Sequence, residues 1–204
     1  MRIIDLDATS RELMAPVCRA CGWWQTTPPA PVLEQSDADE SIRLDWESAV
    51  ESQVGMFGRL LLESGSPVGW MQAAPGRLVP RTRGLPAGST PPDAFLLTCA
   101  YFYDDEYLSG FQTLLHDLVS ALKRRDVLAL EAYALRDLRP GDHSRGYLSD
   151  VNLFNASMMK GSGFHRVAGS GNVGRYRIDL ATLVDAPRHS LAEQRVTRPA
   201  AQPG

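Results

Sequence analysis

The most constraining feature of this 204-residue chain is an apolar segment followed first by an amphipathic helix and then by a second apolar segment. Residues 94–103 are apolar or aromatic almost throughout and lack helical periodicity, which predicts a central strand buried on both faces. Residues 127–134 have the same character. Apolar residues recur between them at the spacing of one helix face, at Phe111, Leu114, Leu115, Leu118, Val119 and Leu122. The basic run 123–125 suits the C-terminus of that helix, so the chain contains a strand–helix–strand unit.

Shorter elements surround this unit. Residues 40–54 form a predicted amphipathic helix with Ile42, Trp46, Ala49 and Val50 on the buried side and Arg43, Asp45, Glu47 and Glu51 facing solvent. Residues 11–26 favour helix and loop, and Asp150 can cap a helix that runs to about Lys160, where Gly161 to Gly163 stop it. The remaining predicted strands are 2–6, 56–63, 68–74, 164–168 and 174–180, of which the last four form two hairpins.

This element order predicts an α/β fold, a mixed sheet with helices on both faces. Residues 1–186 are expected to form one domain and residues 187–204 a disordered tail. Residues 75–92 form a polar loop with five prolines, and a loop of that length in a compact domain is usually functional or disordered.

Composition excludes several function classes. The chain is 44% hydrophobic and has a net charge of −3 without a basic stripe, which argues against binding to nucleic acid. Its longest apolar run is about half of what a membrane-spanning helix needs, and its N-terminus lacks the features of a signal peptide. Three cysteines argue against a disulfide framework. A cytoplasmic protein without a membrane segment is therefore expected.

Three segments together resemble the GNAT superfamily of acetyl-CoA-dependent N-acetyltransferases, over residues 2–180. The hairpin ending in Val68-Gly69-Trp70-Met71 looks like the second and third strands of the family. Residues 96–103 with the acidic turn and helix after them look like its central strand and pyrophosphate loop. Residues 155–164, ending in Gly163-Phe164, look like its closing helix and the next strand. The pair Cys18-x-x-Cys21 with Trp23-Trp24 is similar to a bacterial subgroup.

The resemblance implies acetyl-CoA as co-substrate, with its pantetheine arm along the central strand and its pyrophosphate at the N-terminus of the following helix. The family pattern there is Arg or Gln, two residues, Gly, one residue, then Gly or Ala. Here the six positions begin with Tyr107 and end with Gln112, so only Gly110 matches and the loop is degenerate. The implied cofactor-binding residues are Cys99, Tyr101, Tyr103, Tyr107, Ser109, Gly110, Phe111, Gln112 and Asn155.

Acetylation of an amine needs a base for the ammonium and an acid for the leaving thiolate. Many family members use a Tyr as the acid, and the matching position here is Met159. The candidate base is Glu131, and Tyr133 and Tyr147 are candidates to replace the acid. The structural alternatives are an ion pair with an Arg for Glu131 and ordinary core packing for the two tyrosines.

The cysteines allow three interpretations. Cys18 and Cys21 with Cys99 and a His could bind zinc, but structural zinc sites have a second close Cys or His pair, which the sequence lacks. A redox Cys-x-x-Cys needs a strand before it and a helix opening on it, which the preceding residues support poorly. Buried thiols near the substrate are the third interpretation, and no metal is expected.

Two functions remain open. The first is an N-acetyltransferase in which a bound small-molecule or peptide amine attacks the thioester, while main-chain N–H groups of residues 99–103 polarise the carbonyl. The second is a catalytically inactive GNAT-fold protein that binds or regulates a partner and has lost or weakened its CoA binding. Residues 26–39 and 76–92 are expected to select the substrate, and exposed strand edges leave a homodimer open.

Overall fold

The computed structural model describes residues 1–27, 40–103, 107–136, 147–148, 152–169 and 171–182. Nine strands form one sheet. They are β1 (Arg2–Leu6), β2 (Gly58–Glu63), β3 (Ser66–Pro75), β4 (Ala94–Phe102), β5 (Ala129–Leu135), β6 (Tyr147–Leu148), β7 (Leu153–Asn155), β8 (His165–Ala168) and β9 (Val173–Asp179). The α-helices are α1 (Pro16–Ala20), α2 (Glu40–Val54), α3 (Tyr107–Lys123) and α4 (Ala156–Gly161). No helix in these described ranges is long and apolar enough to span a bilayer.

The sheet is mixed, as the sequence predicts. Strands β1 to β4 form an antiparallel meander, and β4 then pairs in parallel with β5 across the α3 crossover. Strand β9 pairs antiparallel with β5 over its whole length and carries β8 on its other edge. The predicted hairpins and the strand–helix–strand unit are therefore confirmed.

Two hydrophobic layers lie on opposite faces of the sheet. Helix α3 buries Phe111, Leu114, Leu118 and Leu122 on one face, in a cluster that also contains Met159 of α4. Helix α2 and the segment around α1 cover the other face, where Trp46, Val50, Trp70 and Tyr133 are buried in a second cluster. The prediction of helices on both faces is confirmed.

The predicted bounds of α2 are correct, and Trp46 and Val50 are buried as predicted, but the predicted positions of Ile42, Arg43 and Glu47 are wrong. Arg43 and Glu47 are both only 3% exposed, whereas Ile42 is 40% exposed. Both charged residues are buried because they form a network, in which Glu47 accepts hydrogen bonds of 2.6 Å from the Nε atoms of Arg43 and Arg11. Trp46 completes the buried stripe and donates from its indole N–H to the Leu78 carbonyl at 2.9 Å.

Two other predictions are corrected by the structure. The expected polar loop after β3 is ordered, with 3-10 turns at Gly76–Leu78 and Pro80–Gly84 and with Val79 and Ala87 buried against the α2 layer. The closing helix is also shorter than predicted and begins at Ala156, because the buried Leu153 and Phe154 form strand β7. Its cap is Asn155, and Asp150 lies outside the described residues, as do residues 187–204.

Candidate active site

The two central strands separate soon after they begin. Pairing between β4 and β5 extends over three residue pairs, from Ala94 with Ala129 to Leu96 with Glu131. Beyond Leu96, β4 is hydrogen-bonded to β3 alone in the part of the chain that the structure describes. The β3–β4 register also shifts between Leu97 and Cys99, which makes Thr98 a bulge. The edge of β4 that faces β5 therefore has no ladder partner beyond Leu96 among the described residues.

Two short strands occupy the outer part of this gap. Since β9 takes one edge of β5, the parallel strand β7, which pairs with Ala134 and Leu135, lies on the edge that faces β4. Strand β6 pairs with β7 and approaches β4. The backbone of Tyr147, a predicted catalytic residue, thus lies beside the gap, and its side chain is outside the described part of the structure.

Helix α3 begins at Tyr107, four residues beyond Tyr103, and it contacts β4. Gly110 in its first turn lies against the ring of Phe102, and a Cβ at this position would come within 2.6 Å of the ring. Gly69 of β3 contacts the same ring, where a Cβ would come closer still. These two glycines therefore make room for Phe102, so the match of Gly110 to the family loop also has a packing explanation.

The other predicted residues of this loop are spread over different surroundings. The Gln112 amide donates to Ser162 Oγ at 2.8 Å and so connects α3 to the end of α4. Phe111 is buried in the core, with its ring centroid 6.2 Å from that of Phe154. Ser109 is exposed and its carbonyl accepts from Thr113. The side chain of Tyr107 lies outside the described residues.

Glu131, the predicted base, is 1% exposed at the point where β4 and β5 part. Its carboxylate lies 3.2 Å from Arg175 Nε and 3.4 Å from Arg177 Nη1, so the ion-pair alternative is confirmed as its contact in the structure. Burial raises the pKa of Glu131, and the two guanidinium groups oppose that shift. Tyr133 is fully buried and donates its hydroxyl to the Gly88 carbonyl.

Asn155, a predicted cofactor-binding residue, is the N-cap of α4. Its side-chain oxygen accepts from the main-chain N–H groups of Ser157 at 2.7 Å and of Met158 at 3.2 Å. This is the usual reason for an Asn at this position. The capping requires Oδ1 alone and leaves the two amide N–H donors for other contacts.

The remaining three predicted residues, Cys99, Tyr101 and Tyr103, line the sheet face beneath α2. The ring of Tyr101 stacks on Trp70 at 4.5 Å, and Tyr103 meets both rings edge-on. The Cys99 thiol donates to Gln72 Oε1 at 2.8 Å. Cys99 is half-buried although it lies in the middle of the central strand.

Helices α1 and α2 meet over this face of the sheet. Arg43 donates from Nη1 to the Cys21 carbonyl at 3.3 Å and lies over the Trp46 ring. All three cysteines are free thiols. Burial raises the pKa of Cys99 to about 12 and also raises that of Cys18, which makes both poor nucleophiles at neutral pH. Among the described residues no group of three or more His, Cys, Asp or Glu side chains could hold a metal ion.

Two buried polar residues on this side of the sheet were missed by the sequence prediction, Arg43 and Gln72. Gln72 is an uncharged polar residue in an otherwise apolar strand, and Arg43, Trp46, Glu47 and Val50 follow the i, i+3, i+4, i+7 spacing of a buried helical stripe. Both signals were present, but charge placed Arg43 and Glu47 on the solvent side.

Comparison with known proteins gives matches in structure alone. No protein-family model matches the chain, and no curated protein matches it in sequence. A ribosomal-protein-alanine N-acetyltransferase from Brucella melitensis superposes with a TM-score of 0.52 at 16% identity, over 88% of this chain and 99% of that one. The protein yncA of Salmonella typhimurium, assigned as an acetyltransferase and solved with its cofactor acetyl-CoA, gives 0.54 at 15% identity over 88% and 93%.

A third solved structure with this architecture has a different named activity. The GNAT-like decarboxylase GphF, in complex with isobutyryl-CoA, superposes with a TM-score of 0.50 at 17% identity, over 88% of this chain and all of that one. At such identities the similarity establishes the fold, and the reaction has to be argued from the site.

Proposed function

From the premise that the chain has the GNAT fold, we propose that it is an N-acetyltransferase that uses acetyl-CoA as acetyl donor and an amine as acceptor. The observation that carries the proposal is the separation of β4 from β5 after Leu96 and Glu131. It leaves a central-strand edge, followed directly by the N-terminus of a 17-residue helix. Amide N–H groups and the dipole at such a terminus favour a phosphate group.

The main chain of this site fits acetyl-CoA better than its side chains do. The β4 edge beyond Leu96 can pair with the amide groups of the pantetheine arm, and the first turn of α3 can receive its pyrophosphate. The Arg or Gln of the family pattern is replaced by Tyr107. We therefore expect acetyl-CoA to bind more weakly than a complete loop would allow.

The chemistry would be a direct transfer. The amine nitrogen attacks the thioester carbon, main-chain N–H groups of residues 99–103 stabilise the developing oxyanion, and the C–S bond breaks to release CoA as a thiolate. Glu131 is the proposed base: it lies where the strands part, and burial raises its pKa, which increases the affinity of the carboxylate for the proton that the amine loses. Tyr147 is the proposed acid, since its strand lies beside β4, whereas the Tyr133 hydroxyl already donates to Gly88.

A second candidate function is an inactive GNAT-fold binding or regulatory protein. Three contacts favour it: Phe102 fills the space beside Gly110, Gln112 is held by Ser162, and Glu131 is held by two arginines. Each of these groups has a structural role that does not require acetyl-CoA. The two candidates differ in whether acetyl-CoA binds.

Thermal unfolding with and without acetyl-CoA tests the proposal. Ligand at a hundred times its dissociation constant stabilises a protein by about 2.7 kcal/mol. For a chain of this length that corresponds to a rise in Tm of roughly 5 to 10 °C. A rise of this size, followed by acetylated product from a panel of amines, supports the transferase. No rise at millimolar acetyl-CoA overturns it and favours the second candidate.

A loop variant separates weak binding from absent binding. Tyr107→Arg with Gln112→Gly restores the family pattern, and we expect it to increase the affinity for acetyl-CoA. The control is Ser162→Ala, which breaks the same contact to Gln112 without opening the main chain to phosphate. An equal gain in both variants would show that the gain comes from loosening the α3–α4 contact.

A further inference from the structure

The carboxylate of Glu131 is enclosed but loosely held. Its Oε1 accepts from Arg177 Nη1 at 3.4 Å. This distance is long for a hydrogen bond between charged groups, which usually measures about 2.7–2.9 Å. Its Oε2 lies 3.2 Å from Arg175 Nε, but neither atom has a hydrogen-bond partner among the described residues, and Arg175 Nη1 donates to the Ser89 carbonyl. Neither arginine therefore forms a close, well-aligned pair with Glu131.

Arg177 is held more closely by two other carboxylates. It donates from Nη2 to Asp93 at 2.7 Å and from Nε to Asp179 at 2.6 Å, and both contacts are shorter than the one to Glu131. Asp93 immediately precedes β4, whereas Asp179 is the last residue of β9. The two aspartates therefore fix the Arg177 guanidinium from two different parts of the chain, and its distance from Glu131 follows from that position.

Five charged groups meet at this point, namely the carboxylates of Glu131, Asp93 and Asp179 and the guanidinium groups of Arg175 and Arg177. Three carboxylates against two guanidinium groups leave one excess negative charge within this cluster. Two further titratable side chains share this face of the sheet: Tyr133, two residues along β5, and the exposed His165 of β8, which pairs with Arg177. The tyrosine hydroxyl donates to the Gly88 carbonyl.

The excess charge is most costly at Glu131. The side chains of Asp93 and Asp179 are 41% and 43% exposed and are therefore hydrated, whereas Glu131 is 1% exposed. Burial raises the pKa of Glu131, the two arginines oppose that shift, and Asp93 adds to it. A proton that enters the cluster is therefore taken up at Glu131.

We propose that Asp93 and Asp179 are positioning residues for Glu131: by engaging Arg177 they prevent a close pair between that arginine and Glu131, and so keep the Glu131 carboxylate a strong proton acceptor. The use of this acceptor as the base of acetyl transfer rests on the proposed function, whereas its affinity for a proton does not. A close pair with Arg177 would stabilise the ionised carboxylate and weaken it as a base. The cluster thus accounts for a base that lies between two arginines.

Titration of Glu131 by NMR tests this proposal without acetyl-CoA or an acceptor. The side-chain carboxyl carbons of glutamate are labelled with ¹³C, and the Glu131 signal is the one that Glu131→Gln removes. We expect Asp93→Asn and Asp179→Asn each to lower the titration midpoint of Glu131 by about one pH unit, because a negative charge is lost and Arg177 can approach Glu131. An unchanged midpoint in either variant overturns the proposal.

The matched control is Asp117→Asn. Asp117 pairs with Arg59, a largely buried guanidinium that it shares with Asp5, so the arrangement is similar but contains no buried glutamate. We expect this variant to leave the Glu131 midpoint in place. A fall equal to that in Asp93→Asn would show that the effect of an aspartate does not depend on its contact with Arg177, and it would overturn the proposal.

A second background shows whether Asp93 acts through Arg177. In Arg177→Gln, the change Asp93→Asn should lower the Glu131 midpoint by clearly less than in the parent protein, because the guanidinium that it positions is gone. An equal fall in both backgrounds would mean that charge alone is responsible, which overturns the positioning role. If Arg177→Gln does not fold, Arg177→Lys takes its place, since an ammonium group cannot bridge three carboxylates as a guanidinium does.

This proposal and the proposed function can fail separately. If acetyl-CoA raises the Tm while the Glu131 midpoint does not respond to Asp93→Asn, the transferase stands and the positioning role fails. If the midpoint responds while acetyl-CoA has no effect, the positioning role stands as a property of the fold and the transferase fails.

Discussion

Replacing Glu47 by Gln is expected to be among the most destabilising single changes in α2. The carboxylate lies 2.6 Å from the Nε atoms of both Arg11 and Arg43, and it is the one buried anion that these two buried cations share within the described residues. The glutamine side chain would fill the same volume but carry no charge. Removing one partner of a buried ion pair costs about 3–5 kcal/mol, because the remaining charge is left uncompensated.

Urea unfolding followed by tryptophan fluorescence measures the change in the free energy of unfolding, and thermal unfolding measures the change in Tm. A loss of about 3–5 kcal/mol corresponds to a fall in Tm of roughly 6–20 °C for a chain of this length. The control is Asp45→Asn, the same chemical change at an exposed position two residues earlier on α2, where we expect an effect within about 0.5 kcal/mol. If Glu47→Gln were as mild as Asp45→Asn, the buried network would not exist as described.

Three further outcomes follow from other contacts. Gly69→Ala should cost several kcal/mol in urea unfolding, since its Cβ would meet Phe102 and the Tyr101 carbonyl; a neutral effect would mean that β4 can shift. Asn155→Ala should lose about 0.5–2 kcal/mol with the α4 cap, and Asn155→Asp should retain most of it. The hydrogen bond from Arg177 lowers the pKa of Asp93 in the folded protein. The stability that the ionised Asp93 contributes is therefore present above the ordinary Asp pKa and is lost as pH falls through the lowered value. Asp93→Asn should therefore flatten the loss of stability below about pH 4, and an unchanged acid limb in unfolding scans would contradict this.

The local pattern of the sequence was sufficient for all the strands except the short β6 and β7, for the long helices and for their order. Apolar runs without helical period predicted β4 and β5, and the helical spacing between them predicted α3. These signals are strong because burial of an element on one or both faces directly restricts which residue types it can contain. The resemblance in element order also led to the fold that the structural neighbours share.

Local pattern was insufficient wherever a tertiary contact reverses the usual preference of a residue. Arg43 and Glu47 are charged and yet buried, because Arg11 is brought to Glu47 from a distant part of the chain. Asn155 matched a family position, but which atoms it uses depends on the start of α4. Residues 76–84 are rich in Pro, Arg and Gly, and they are ordered because the α2 layer receives Val79.

In the candidate site, too, local sequence pattern accounts for some features and tertiary contacts for others. The sequence by itself determined that a central strand would be followed by a helix, and therefore that a strand edge and a helix N-terminus would lie next to each other. Only the tertiary structure decided where β4 leaves β5, that Gly110 and Gly69 enclose Phe102, and that Arg11 and Arg43 share Glu47. The physical reason is that hydrophobic periodicity is encoded within one element, whereas a site is made by groups from several elements whose distances are set by packing.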